Sequence, residues 1–173
     1  MLRINDRRRP RTKSGEVNWN GTETPTRPDG YLLRWTLASP GDGYRGLVPF
    51  LIADDTPRRE RVPSATAHAN RVTGLGSLTI AVTDLVDVTR WYSTALGLSG
   101  IERRRDDLAA VGYQFSIGPH DLELVTPERD DGPVAAFLRQ RGPGLYAATL
   151  TTATGTGRWL PDRQSQGARL YLE

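Results

Sequence analysis

The side chains best placed to do chemistry in this sequence are Ser77, Thr79, Gln114, Glu123, Thr149 and Tyr171. Each lies in a short run where apolar and polar residues alternate, and strand side chains alternate with period two. The runs therefore sort into faces: Ser77, Thr79 and Ala81; Gln114 and Ser116; Asp121 and Glu123; Ala147 and Thr149; Arg169 and Tyr171. Their opposite faces are Leu, Ile, Val, Tyr and Phe, which suits packing against a helix. A concave polar wall with a few apolar positions is the usual composition of a small-molecule site. An antiparallel sheet with one solvated face has the same pattern. Glu123 reads either as a polar anchor in a cup or as an exposed strand carboxylate.

Several other chemistries are absent. The 173-residue chain contains no cysteine, which excludes a disulfide framework, a thiolate metal site and a cysteine nucleophile. Its two histidines, His68 and His120, fall in expected loops away from the alternating runs. Gly155-Thr156-Gly157 lacks the lysine of a phosphate-binding loop, and there is no Gly-x-Ser-x-Gly elbow. Arg3, Arg7, Arg8, Arg9, Arg11 and Lys13 form a basic cluster within a net charge of only +3. Such an arm could neutralise phosphates, but no recognition helix or stacking aromatics accompany it, so a solvated tail is expected and nucleic acid is not an expected partner. No apolar run approaches the roughly 20 residues that span a bilayer, and the N-terminus has no secretory apolar region. The expectation is a cytoplasmic protein that does not engage a membrane.

The elements that would position the polar face are legible around residues 74–127. Leu78, Ile80 and Val82 alternate as a strand, Asp84 offers an N-cap with Asp87 in the first helical turn, and Val88, Trp91, Tyr92, Ala95 and Leu96 make one helical stripe. Gly97 is the expected stop. Val111, Tyr113, Phe115 and Ile117 then alternate up to Gly118-Pro119-His120-Asp121, and Leu122-Glu123-Leu124-Val125 returns, which reads as a hairpin. Upstream, residues 1–30 are expected to be a flexible basic segment, 31–53 two strands of a partial module with Pro49 marking an edge, and 54–73 a linker whose Asp and Arg residues are solvated. Downstream, residues 128–173 read as a partial second module. It has a helix starting at Pro133, a strand from Leu145, a short helix around Arg158-Trp159-Leu160 and a last alternating run at Ala168-Arg169-Leu170-Tyr171-Leu172-Glu173.

These segments carry a resemblance. The run from Thr73 through Ser77-Leu78-Thr79-Ile80-Ala81-Val82 to Leu85 resembles the opening strand and helix cap of the vicinal oxygen chelate (VOC) superfamily. Trp91-Tyr92, Leu96-Gly97-Leu98, Leu122-Glu123-Leu124-Val125, Gly142-Pro143-Gly144-Leu145-Tyr146 and Gln166-Gly167-Ala168-Arg169-Leu170 are similar in the same order. Asp29-Gly30-Tyr31-Leu32-Leu33-Arg34-Trp35 and Leu47-Val48-Pro49-Phe50-Leu51-Ile52 look more narrowly like glyoxalase-like members with additional modules. The resemblance implies an α+β fold of βαβββ modules forming a curved mixed sheet of the glyoxalase/bleomycin-resistance kind. It also implies, for metal-dependent members, a divalent ion held by His, Glu or Gln and chemistry of the lyase, isomerase or dioxygenase type. Carried over by position, the first-strand histidine falls on Ser77 and the last-strand carboxylate on Glu123. The second module's histidine falls on Ala147, or on Tyr146 if the register slips by one, and the final carboxylate is expected beyond Glu173.

One ligand of four is too few for a catalytic metal. The expectation is therefore a glyoxalase-like small-molecule-binding cup without metal or cofactor, incomplete at both ends. Ser77, Thr79, Gln114, Glu123, Thr149 and Tyr171 are its candidate ligand-binding residues, and Glu123 is its candidate catalytic group. The alternatives are a metal-dependent lyase, isomerase or dioxygenase, or a truncated non-catalytic module. A homodimer is expected, because strand edges near Leu170 and Leu47 lack partners within the chain.

Overall fold

The structure, a computed structural model, describes residues 17–62, 69–155 and 157–173, and the side chains from Thr22 onward. The basic cluster and His68 lie outside the described residues. Two compact units divide at Thr66 and Ala67.

The first unit holds an antiparallel sheet of β1 (Val17–Glu23), β2 (Trp35–Pro40) and β3 (Leu51–Asp54), with β2 in the middle, and a short helix α1 (Arg58–Arg61). Strand β1 falls inside the segment expected to be unstructured. Its asparagines and glycine gave no alternating signal, yet pairing with β2 runs through the backbone, from Val17 opposite Pro40 to Glu23 opposite Trp35. Strand β3 is an edge strand, and Pro49 lies just outside it. Leu33, Ala38, Leu47 and Val48 are buried here.

The charges at residues 54–61 are not merely solvated. Arg61 donates from Nε and Nη2 to the two Asp54 carboxylate oxygens at 2.8 and 3.0 Å, and its guanidinium lies 5.5 Å from the Trp35 ring centroid. The hydrogen bonds from Arg61 hold the Asp54 carboxyl below the ordinary carboxylate value. A carboxylate with a depressed folded-state pKa contributes stability above its unfolded pKa and loses it as pH falls through the folded value. Asp54→Asn is thus expected to lower the thermal midpoint at pH 7, with the difference from wild type shrinking as pH falls through the folded-state value of Asp54. A difference that does not shrink on acidification would count against the pair.

The second unit is built on a seven-stranded mixed sheet ordered β5-β6-β7-β4-β8-β10-β9. Its strands are β4 (Val72–Ala81), β5 (Ile101–Arg105), β6 (Ala110–Ile117), β7 (His120–Pro127), β8 (Gly144–Thr152), β9 (Arg158–Trp159) and β10 (Leu170–Leu172). Helix α2 (Leu85–Leu96) follows β4, α3 (Pro133–Arg141) precedes β8, and α4 (Asp162–Ser165) precedes β10. Strands β4 and β8 pair antiparallel at the centre. Each has a parallel neighbour on its outer side, β7 beside β4 and β10 beside β8, so the two halves repeat one pattern about the β4–β8 seam.

Helix α2 forms as its sequence dictates. Asp84 accepts a hydrogen bond from the Asp87 N–H at 2.9 Å, which satisfies one of the free donors of the first turn. Gly97 closes the helix in the left-handed region at φ 66°. Val88, Trp91 and Tyr92 are buried against the apolar face of the sheet, and Tyr92 stacks on Phe115 with ring centroids 5.2 Å apart. Burial in this apolar layer pushes the Tyr92 phenol well above its ordinary pKa.

Helix α3 covers part of the opposite, polar face. Val134 joins Ala81, Ala110, Val125 and Tyr146 in a buried cluster, with Phe137 and Leu138 packed on it. One end of the polar face is thereby roofed, while the end nearer Ser77 and Asp121 is not part of that cluster.

Two expectations change, and one strand has no counterpart in the sequence reading. Strand β5 has no apolar alternation and its residues are mostly exposed; it is an edge strand held by its ladder with β6 and blunted by charge. The helix expected around Arg158-Trp159-Leu160 is instead strand β9, with Trp159 paired to Tyr171 and their rings edge-on at 5.2 Å. Leu170 does not sit on an open edge, because β10 is paired on both sides, and Leu47 lies in no strand. The open edges of the large sheet are β5 and β9.

Candidate functional site

Strand pairing brings most of the expected site residues onto neighbouring positions of one face. Thr79 lies opposite Glu123 on one side and Ala147 on the other. Gln114 lies opposite Glu123 across the β6–β7 ladder, and Ser77 lies opposite both Asp121 and Thr149. Ser77, Thr79, Gln114, Glu123 and Thr149 therefore form a contiguous polar patch. Tyr171 faces the same side as Thr149. It is three strand spacings from Glu123, about 14 Å along the sheet, and its hydroxyl lies against Gly157, where a Cβ would clash. It belongs to the rim of the patch.

Glu123 is the charged centre. Its side chain is only 13% exposed and receives Arg105 Nη1 at 2.6 Å on Oε2. Thr79 Oγ1 donates to the same oxygen at 3.3 Å. Arg105 is fixed in turn by Asp107, to whose two oxygens it donates from Nε and Nη2 at 2.9 Å each. Bidentate pairing of this kind orients a guanidinium rigidly. It also raises the Arg105 pKa and depresses that of Asp107, the mutual hydrogen bonds being the main cause in both. Further out, Arg103 Nε donates to Gln114 Oε1 at 2.8 Å and Ser116 Oγ to Asp121 Oδ1 at 3.0 Å. Arg169 Nη1 donates to the Tyr146 hydroxyl at 2.7 Å. The hydroxyls of Ser77 and Thr149 make no hydrogen bond among the described residues.

The register corrects one carried-over position. Glu123 pairs with Thr79 beside the central seam, and the equivalent residue of the other half is Tyr171, paired with Thr149. The fourth position is thus within the chain and is a tyrosine. The four positions carry Ser77, Glu123, Ala147 and Tyr171, which supply one carboxylate and no imidazole, and that carboxylate already holds a guanidinium. Among the described residues no three His, Asp or Glu side chains converge. This donor set does not fit a divalent ion, which needs about three or more such ligands from the protein.

Arg105 was missed by sequence reasoning. It sits in an arginine-rich edge strand with no periodic signal, and only the β5–β6 register brings it beside Glu123. His120 opens β7 with Nδ1 2.6 Å from the Leu75 carbonyl oxygen, away from the patch centre. A separate hollow of about 400 Å³ lies in the first unit. Leu37, Pro40, Val48 and Phe50 line it, with the Asp42–Arg45 ion pair among its lining residues. None of the expected site residues lines it.

Two repeated halves, with central strands antiparallel and each flanked by a parallel partner, define a glyoxalase-type fold of the VOC superfamily. A family model described as a glyoxalase-like domain matches residues 2–96, more than half of the chain, and the chain belongs to that family. Among solved structures, methylmalonyl-CoA epimerase from Mycobacterium tuberculosis is similar at 21% identity and TM-score 0.52, over 62% of this chain and 91% of that one. A hypothetical protein from Bacillus halodurans is similar at 20% identity and TM-score 0.50, over 57% and 91%. The Streptomyces coelicolor methylmalonyl-CoA epimerase in complex with 2-nitronate-propionyl-CoA is similar at 17% identity and TM-score 0.51, over 58% and 96%. At these identities the likeness is one of fold. None of the curated proteins matches the chain. No helix among the described residues is long and apolar enough to cross a membrane.

Proposed function

We propose that the polar face around Glu123 is a small-molecule-binding cup that works without a divalent metal ion. The observation that carries this reading is the Arg105–Glu123 ion pair at 2.6 Å, next to metal-ligand positions filled by Ser77, Ala147 and Tyr171. Ser77, Thr79, Gln114, Glu123 and Thr149 are the binding residues, with Tyr171 on the rim. Glu123 Oε2 is engaged by Arg105 and Thr79, whereas Oε1 takes no hydrogen bond among the described residues. In the enzymatic version of this reading Glu123 moves a proton through Oε1. The chain acts as a homodimer in the cytoplasm, joined through an open edge of the large sheet.

Native mass spectrometry of the purified full chain tests metal content and assembly together. The expected species is a dimer of the 19.1 kDa chain with no bound divalent metal. One Zn, Ni, Mn or Fe per chain would overturn the metal-free reading in favour of a metal-dependent lyase, isomerase or dioxygenase. A monomer at all micromolar concentrations would overturn the dimer. Binding in the cup itself is read by amide chemical-shift mapping with a library of small polar fragments. Shifts confined to residues around Ser77, Glu123 and Thr149 are expected, and their absence for every fragment would defeat the cup.

A further inference from the structure

The hydrogen-bond inventory of the cup restricts the chemistry of what it holds, given the reading above. A guanidinium has five N–H donors. Arg105 commits three of them, two to Asp107 and one to Glu123. The two that remain are one on each terminal nitrogen. The one on Nη1 lies next to the carboxylate whose second oxygen is free. A donor of the protein and an acceptor of the protein thus stand side by side, both partly buried, with Arg105 35% and Glu123 13% exposed.

The local charge argues against an anion at this point. Arg105 faces two carboxylates, Asp107 and Glu123, so the trio carries an excess of negative charge. Asp121 lies two residues along the same face. The other arginines of this face are exposed and turned to other partners, Arg103 to Gln114 and Arg169 to Tyr146. The uncommitted groups on this stretch of the face are neutral hydroxyls, those of Ser77 on the strand beside Glu123 and of Thr149 one strand further. An incoming carboxylate or phosphate would meet Glu123 Oε1 with no proton between them, a like-charge contact in a partly desolvated place.

We infer that the cup takes a neutral ligand with an N–H or O–H donor adjacent to a carbonyl acceptor, such as a lactam, a cis-amide or a hydroxy ketone. The ligand donor binds Glu123 Oε1, and its carbonyl oxygen accepts the remaining N–H of Arg105 Nη1. Arg105 thereby supplies the positive pole at the carbonyl that a metal ion would otherwise supply, and Asp107 keeps the guanidinium in plane. Ser77 and Thr149 contact further oxygens of the same ligand.

The test is titration of the full chain with δ-valerolactam, dihydroxyacetone and succinate, read by amide shifts in the 15N spectrum. The lactam and the hydroxy ketone are expected to shift residues around Ser77, Glu123 and Thr149, and succinate to leave them unmoved. Glu123→Gln keeps the size of the side chain but removes its charge. It is expected to weaken lactam binding by about tenfold or more, the usual weight of a charge-assisted hydrogen bond, without lowering the thermal midpoint enough to unfold the protein at 25 °C. Arg105→Lys, which keeps the charge but not the planar fork, is expected to weaken binding comparably and serves if Glu123→Gln does not fold. Preferential binding of succinate at these residues overturns the inference about ligand class while leaving the cup intact. The same follows if lactam affinity is unchanged in both variants. Failure of the lactam and the ketone alike overturns it too, and the fragment library above then decides separately whether the cup exists.

Discussion

Trp91→Ala is expected to destabilise the second unit by about 3–5 kcal/mol, the range for removing a large buried aromatic. Trp91 is 3% exposed and meets Tyr92 edge-on at 5.4 Å, while Tyr92 stacks on Phe115 of β6. The three rings are the main bulk between α2 and the sheet, and Phe115 and Tyr92 have no exposed surface. Deleting the indole leaves a cavity that neighbouring rings cannot close without losing their own contacts. For a unit of roughly 100 residues each kcal/mol moves the thermal midpoint by about 4–8 °C, so a fall of about 12–40 °C is expected. A calorimetric scan checks it. A shift below about 5 °C would mean that α2 does not pack on this face.

How far the sequence specified the fold depends on where local and long-range physics agreed. Helix α2 was legible in every detail because cap, stripe and stop are all local: Asp84, the Val88-Trp91-Tyr92 series and Gly97 each act within a few residues. The β6–β7 hairpin was legible for the same reason. Strand β5 was not, because Ile101-Glu102-Arg103-Arg104-Arg105 is a charged edge whose conformation comes from the ladder it joins. Strand β9 is two residues long, too short for any periodicity, and exists by pairing with β10. The charges at Asp54 and Arg61 read as solvated because seven positions of sequence separation hide a bidentate contact.

The candidate site divides the same way. Face parity alone grouped Ser77, Thr79, Gln114, Glu123 and Thr149 correctly, since the period of two is a property of each strand. Which residues then touch is a matter of register between strands distant in sequence, and that put Arg105 beside Glu123 and Tyr171 in the position expected beyond Glu173. The feature that most changes the chemistry, a guanidinium already bonded to Glu123, was the part least visible in the sequence.

Gly112→Ala is expected to be the more damaging substitution, on the order of 4–5 kcal/mol or frank failure to fold. Gly112 lies opposite Val125 in the β6–β7 ladder. A Cβ there would point into the main chain of β7, 2.8 Å from the Leu124 carbonyl carbon and 3.1 Å from Val125 Cα, with the Leu124 oxygen nearer still. Overpacking against side chains costs about 1–3 kcal/mol because rotamers can give way. Here the obstacle is backbone, so the strands themselves must part. Gly118→Ala on the same hairpin is the control: its φ of 62° strains an alanine, but nothing lies within 4 Å of the new methyl. Its cost is expected near 1–2 kcal/mol. Urea titrations of the two variants give the comparison directly. If Gly112→Ala is no worse than Gly118→Ala, β6 does not approach β7 in this register. Gln114 and Glu123 would then not stand opposite each other, and the polar patch would lose one of its walls.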